Sequence, residues 1–252
     1  MWRNFSHSSF VQSRKWLIVA LPAWVLVSFA LAQMVTLGVI TGLNALQVPF
    51  GAMNQAVLST LISVVVYVLS IVITIGVPWW IKKYRTSRED IGLTSWPSWT
   101  DIFLAPAGFI IYFILSAVLA LIAANITTIN LDQVQETGFD TISQNYEYIL
   151  AFLSLVIIAP IAEEVLFRGY LFGKLRKHAP LWIAILITSL LFAVVHGAWN
   201  VGIDVFALSI ILCLLRVWSK SLWAPILLHM IKNGIAFYFL FINPYLLTTL
   251  GG

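Results

Sequence analysis

From Trp16 to Ile81 the chain carries no Asp, Glu, Lys or Arg. A helix needs about 20 apolar residues to cross a hydrocarbon core of about 30 Å. The stretch therefore holds two crossings and leaves no face for water. The remainder is consistent with this: 61% of the residues are hydrophobic and 10% charged, where soluble domains carry about 25% charged residues. The expected fold is all-α, a polytopic transmembrane helix bundle forming one membrane domain over residues 1–252. The single cysteine, Cys213, lies in an apolar run and reads as an inert buried thiol. There is no CxxC or zinc-finger spacing. A net charge of +4 does not call for a nucleic-acid partner, because the basic residues are placed by topology.

Seven apolar helices are expected: Trp16–Ile40, Ala56–Trp80, Ile102–Ala124, Tyr148–Phe172, Leu181–Gly197, Val201–Val217 and Leu222–Ile242. A short re-entrant segment would make the span count eight. Trp79, Trp80, Trp99, Trp182, Trp218 and Trp223 fall near the proposed ends, as an interfacial belt would place them. Basic residues mark every second connection: Arg3, Arg14 and Lys15, then Lys82, Lys83, Arg85 and Arg88, then Lys174, Arg176 and Lys177, then Arg216 and Lys220. The third loop has only acids, Asp132, Glu136, Asp140 and Glu147. The positive-inside rule then puts the N-terminus in the cytoplasm and the C-terminus outside, in a multi-pass protein of the cell membrane. Ala30-Leu31-Ala32 after Arg14-Lys15 resembles a signal-peptide cleavage site. The apolar run continues through Ile40, so an uncleaved first helix is expected.

Charged groups within spans are costly and call for a reason. The first three helices have none. The last four contain Glu163, Glu164, Arg168, His196, Asp204, His229, Lys232 and Asn233. Glu164 and Arg168 are four apart and can pair on one helix face; His229 and Asn233 share a face in the same way. Glu163 lies about 100° around the helix from Glu164 and can address another neighbour. Glu163 is 16 residues before Ala179 and His196 is 16 after Pro180. A hairpin turning there would set both at one depth, which the basic turn places in the cytoplasmic half. His229 reaches that depth only if the two helices of the hairpin project past the membrane. Asp204 reads as an outer-rim residue and Lys232 as a snorkelling or locally paired one. Any one of these residues alone would read as helix–helix glue; four convergent polar groups need a task.

A carboxylate beside a neutral imidazole can hold and deprotonate water. A second imidazole and an amide can donate to a developing oxyanion. Together they make a hydrolytic site without a covalent nucleophile. No Ser lies in a GxSxG context and HExxH is absent, although two His and one Glu leave zinc open as an alternative. A coupled transporter would more often show repeated halves and matched broken helices, and neither is present.

The segment Ala159-Pro160-Ile161-Ala162-Glu163-Glu164-Val165-Leu166-Phe167-Arg168-Gly169 resembles an EExxxR motif. Phe192-Ala193-Val194-Val195-His196 resembles FxxxH, and His229-Met230-Ile231-Lys232-Asn233 resembles HxxxN. In this order on successive helices they resemble the CPBP family, the type II CAAX prenyl endopeptidases and related Abi-like, bacteriocin-processing membrane proteins. The resemblance covers about Tyr148–Ile242, so residues 148–243 would be the catalytic core and 1–147 a set of apolar helices. It implies a glutamate-dependent intramembrane endopeptidase with no cofactor. Glu163 would be the base, His196 would help hold the water, and His229 and Asn233 would form the oxyanion site. Glu164, Arg168 and Phe192 would support them. The substrate would be a peptide or protein in contact with membrane lipid, with lipidation left open. A non-catalytic scaffold or immunity protein of the same fold is the other reading.

Overall fold

The computed structural model describes residues 15–48, 53–126, 137–139, 141–197 and 199–246. Arg3, Arg14, Asp132, Glu136 and Asp140, used above for topology, lie outside the described residues.

Among these residues there are eight helices and no strand. Six are long and apolar enough to cross a membrane: α1 Leu17–Ala45, α2 Gln55–Ile81, α4 Trp99–Ala124, α5 Asn145–Leu175, α7 (its crossing part Val201–Ser219) and α8 Trp223–Ile242. A short α3 spans Arg88–Ile91 and α6 spans Leu181–Val194. The polytopic all-α bundle is as expected. The fifth apolar helix is not the full crossing expected over Leu181–Gly197. Its 14 residues reach about 21 Å. The chain leaves the helix at Val195, His196 N–H turns back to the carbonyl of Ala193, and Gly197 takes a left-handed φ of 76°. His196 therefore sits in a turn at a helix tip.

Helix starts follow local chemistry. Asn54 accepts from Ala56 and Val57 N–H at the head of α2. Ser98 with Asp101, and Gln144 with Glu147, form capping boxes at α4 and α5, each satisfying N–H groups that a first turn leaves free.

Packing places α5 and α7 at the centre, while α1, α2 and α4 expose most of their surface. Antiparallel α7 joins α6 on one side and α4 on the other, and α8 lies against α4 and α5. Leu208, Leu212, Leu215 and Leu228 are buried between α4, α7 and α8. Gly108 permits this approach: a Cβ there would lie 2.7 Å from Leu228 Cδ1. Trp79, Trp80, Trp99, Trp182 and Trp218 are all exposed.

The segment from α3 to α4 folds across one end of the bundle. Trp223 Nε1 donates to the Ser95 carbonyl at 2.7 Å, and Leu222 N–H donates to the carbonyl of Gly92. Lys177 bonds Asp90 at 2.7 Å, and Arg216 donates to the Asp90 carbonyl at 3.3 Å. The Lys177 bond first, then the Ser87 N–H, hold the Asp90 carboxyl down to about 2. That contribution is complete above the ordinary carboxylate range and is lost only as pH falls through about 2. The same short segment thus touches both the α5–α6 turn and the start of α8.

Candidate active site

α5 is not a uniform α-helix. Two π-helical stretches, Leu153–Ile158 and Val165–Phe172, flank the α-helical turn Ala159–Glu164. Widened turns of this kind change which faces successive side chains take and are frequent at functional sites. In the first stretch Ala159 N–H bonds the carbonyl of Ser154, five residues back. The next bond in that register would come from Pro160 to Leu155, and proline has no N–H. Asn233 Nδ2 fills the gap, donating to the Leu155 carbonyl at 2.9 Å. One amide hydrogen of Asn233 is thus committed to the backbone of α5.

The adjacent glutamates diverge, as their spacing predicts. Glu164 is fully buried; its Oε1 accepts from Arg168 Nη1 at 2.9 Å and from His229 Nδ1 at 2.9 Å. Arg168 is fully buried too and stands 4.3 Å from the centre of the Phe192 ring. Phe192 also meets His196 and His229 edge-on, with centroids 4.8 and 5.9 Å apart. The phenylalanine of the FxxxH motif is thus the wedge against which one arginine and two imidazoles are set.

Glu163 faces a cavity of about 220 Å³ that His196, Phe192, Phe167 and Tyr67 also line. Its Oε1 accepts from Tyr67 Oη at 2.6 Å, and its Oε2 lies 3.8 Å from His229 Nε2. The carboxylate is partly accessible from this cavity, unlike Glu164.

Ring tautomers follow from the acceptors. A carbonyl can only accept, so His196 Nδ1, 2.7 Å from the Phe192 carbonyl, carries a proton, and in the neutral ring Nε2 then has the lone pair. His229 Nδ1–H is likewise committed to Glu164. Its Nε2, turned toward Glu163, donates only when the ring is doubly protonated.

Glu163, Glu164, Arg168, Phe192, His196 and His229 thus converge, and Asn233 braces the same helix. Two things were not expected. Tyr67 comes from α2, outside the four C-terminal helices. Its signal was available: tyrosine normally favours the membrane interface, and this one sits in the middle of a charge-free span. Asp204 is not a solitary rim residue. It accepts from Tyr112 at 2.6 Å and Ser116 at 2.7 Å, both on α4, and pairs with Lys232 of α8 at 3.3 Å. Lys232 therefore neither snorkels nor pairs locally but pairs with another helix, and Asp204 links α4, α7 and α8. Cys213 is free and buried, as expected. Among the described residues, no group of three or more His, Cys, Asp or Glu is arranged to hold a metal ion.

The chain is similar to known proteins over one part of its length. The Membrane-embedded CAAX protease MroQ of Staphylococcus aureus (strain USA300) is 35% identical over 94 residues, covering 35% of this chain and 38% of that protein. An uncharacterized 24.3 kDa protein of Escherichia coli is 34% identical over 98 residues, 37% of this chain and 45% of the relative. Uncharacterized protein YpbD of Bacillus subtilis (strain 168) is 37% identical over 90 residues, 34% and 42% respectively. The chain thus spans less than half the length of these relatives. No solved structure matches it. Residues 145–235, which hold all three motifs, match the profile of the Type II CAAX prenyl endopeptidase Rce1-like family.

Proposed function

We propose that the chain is an intramembrane endopeptidase in which Glu163 activates water. The observation that carries this reading is the half-sheltered Glu163 carboxylate sharing a cavity with the lone-pair face of His196. A water between them gives one hydrogen to Glu163 and is oriented through the other by His196 Nε2. Its oxygen attacks the scissile carbonyl carbon. The oxyanion takes a hydrogen bond from His229 Nε2–H, in the imidazolium form, and one from the other amide hydrogen of Asn233. The tetrahedral carbon then expels the amine, which receives the proton held by Glu163. Glu164 and Arg168 hold the His229 ring.

The basic residues Lys174, Arg176, Lys177, Arg216 and Lys220 sit at the end of the bundle where α1 begins, which supports a cytoplasmic N-terminus. The substrate class is a membrane-associated peptide, and the name of the MroQ relative makes lipidated peptides the first to try.

The test is cleavage of a lipid-anchored reporter peptide by purified chain in liposomes. Activity is expected to persist at full rate with a tight chelator and to vanish in His196→Ala. Loss of activity in chelator, restored by zinc alone, would instead support a metal mechanism. Tyr67→Phe removes one hydrogen bond to the base while keeping the ring. Its expected effect is a fall in kcat of about 10-fold, the scale of one hydrogen bond to a charged group, with unchanged thermal stability. A wild-type kcat would remove Tyr67 from the site.

A further inference from the structure

A second hollow, of about 420 Å³, runs between α1 and α2 and shares Phe29 and Tyr67 with the Glu163 cavity. On α1 its wall is the stripe Phe29, Gln33, Thr36, Leu37 and Ile40; Ser63 and Tyr67 stand opposite on α2. It leads away from the basic end of the bundle, toward Ala45 and Gln55.

Among the described residues, two polar groups in this groove lack hydrogen-bond partners. Ser28, Thr36, Thr60 and Ser70 on these two helices turn back to the carbonyl four residues earlier, and Ser59 reaches the Gly138 carbonyl instead. Ser63 does neither, and among the described residues neither it nor the Gln33 amide makes a hydrogen bond. Gln33 is exposed near the middle of α1, where a bare amide faces hydrocarbon at a cost.

We infer that this groove binds an extended segment of substrate peptide, with Gln33 and Ser63 hydrogen-bonding its main chain and delivering the scissile bond to Glu163. An extended peptide has unpaired N–H and C=O groups along both edges, which is what an amide on one wall and a hydroxyl on the other can satisfy. A lipid tail has nothing to offer them. The wall from Phe29 to Ile40 is about 17 Å long at helical rise, room for about five extended residues. The direction of the groove implies that the peptide arrives through the bilayer from the half opposite the basic loops. The inference rests on the hydrolytic reading of Glu163 for what happens at the groove's inner end, but not for occupancy of the groove itself.

The experiment separates the two. Quenched-fluorescent peptides anchored by a palmitoylated or farnesylated cysteine are presented in phosphatidylcholine vesicles to the full chain. Gln33→Leu keeps the bulk and removes the amide; it is expected to raise KM about 10-fold, the worth of a lost main-chain hydrogen bond, with kcat within about twofold of wild type. In parallel, the same peptides carrying a benzophenone are irradiated with the Glu163→Gln chain, and the adduct is mapped. Labelling of the stretches 33–40 and 62–67 by a peptide-borne benzophenone supports the groove, even if wild-type chain cleaves none of the peptides; that pair of results would remove the hydrolytic reading alone. An unchanged KM in Gln33→Leu overturns the inference. So does labelling of the groove only when the benzophenone is on the lipid tail.

Discussion

Glu163→Gln is expected to reduce cleavage by about 10²- to 10⁴-fold, the range that a positioned general base supplies, while leaving the thermal midpoint unchanged. The amide keeps an oxygen to accept from Tyr67 Oη, which now stands 2.6 Å from Glu163 Oε1, and it fills the same volume. What it lacks is basicity. The comparison with His229→Ala sharpens the assignment. Removing an oxyanion donor costs about 10²- to 10³-fold, but His229 also bonds Glu164, so that variant should lose stability as well as rate. A Glu163→Gln chain that cleaves at the wild-type rate would end the proposed mechanism.

Arg168→Met is expected to destabilise the protein by about 3–5 kcal/mol, because it leaves the Glu164 charge buried without its guanidinium. Both side chains are fully buried, and their bond is 2.9 Å long. The double variant Glu164→Gln with Arg168→Met should recover most of that loss. Replacing a whole buried ion pair by neutral groups of like volume is often close to neutral. Activity should not return with stability, since Glu164 orients His229 through its Nδ1–H. Thermal unfolding in detergent reads the first effect and reporter cleavage the second. If Arg168→Met unfolds at the wild-type temperature, the ion pair is not what braces the site.

Local spacing made the inner half of this site readable in the sequence. Glu164 and Arg168 four residues apart, and Glu163 turned to a different neighbour, depend only on helical pitch. The hairpin count that set Glu163 level with His196 also agrees with their common cavity. Three features depend on more than pitch. Tyr67 reaches Glu163 across 96 positions of chain, a contact decided by how α2 packs on α5. The tie between Asn233 and Leu155 depends on a π register that no periodicity of apolar residues reports. The early end of α6, at Val194 rather than Gly197, is a boundary that the apolar pattern does not fix to within a turn. The Asp204–Lys232 pair was missed for a related reason: each residue has its partner on another helix, so neither shows a mate at i±4.

The short α6 also bears on the lipid around it. One face of this helix is bare: Trp182, Leu186, Leu190 and Val194 are exposed. A lipid-facing wall of about 21 Å against a film of about 30 Å is a hydrophobic mismatch, which a bilayer accommodates by thinning beside it. Water and headgroups would then dip toward the tip of α6, where His196 stands. Under the proposed mechanism, water would reach Glu163 through a dimple in the membrane, and acyl-chain length would become a control on the rate.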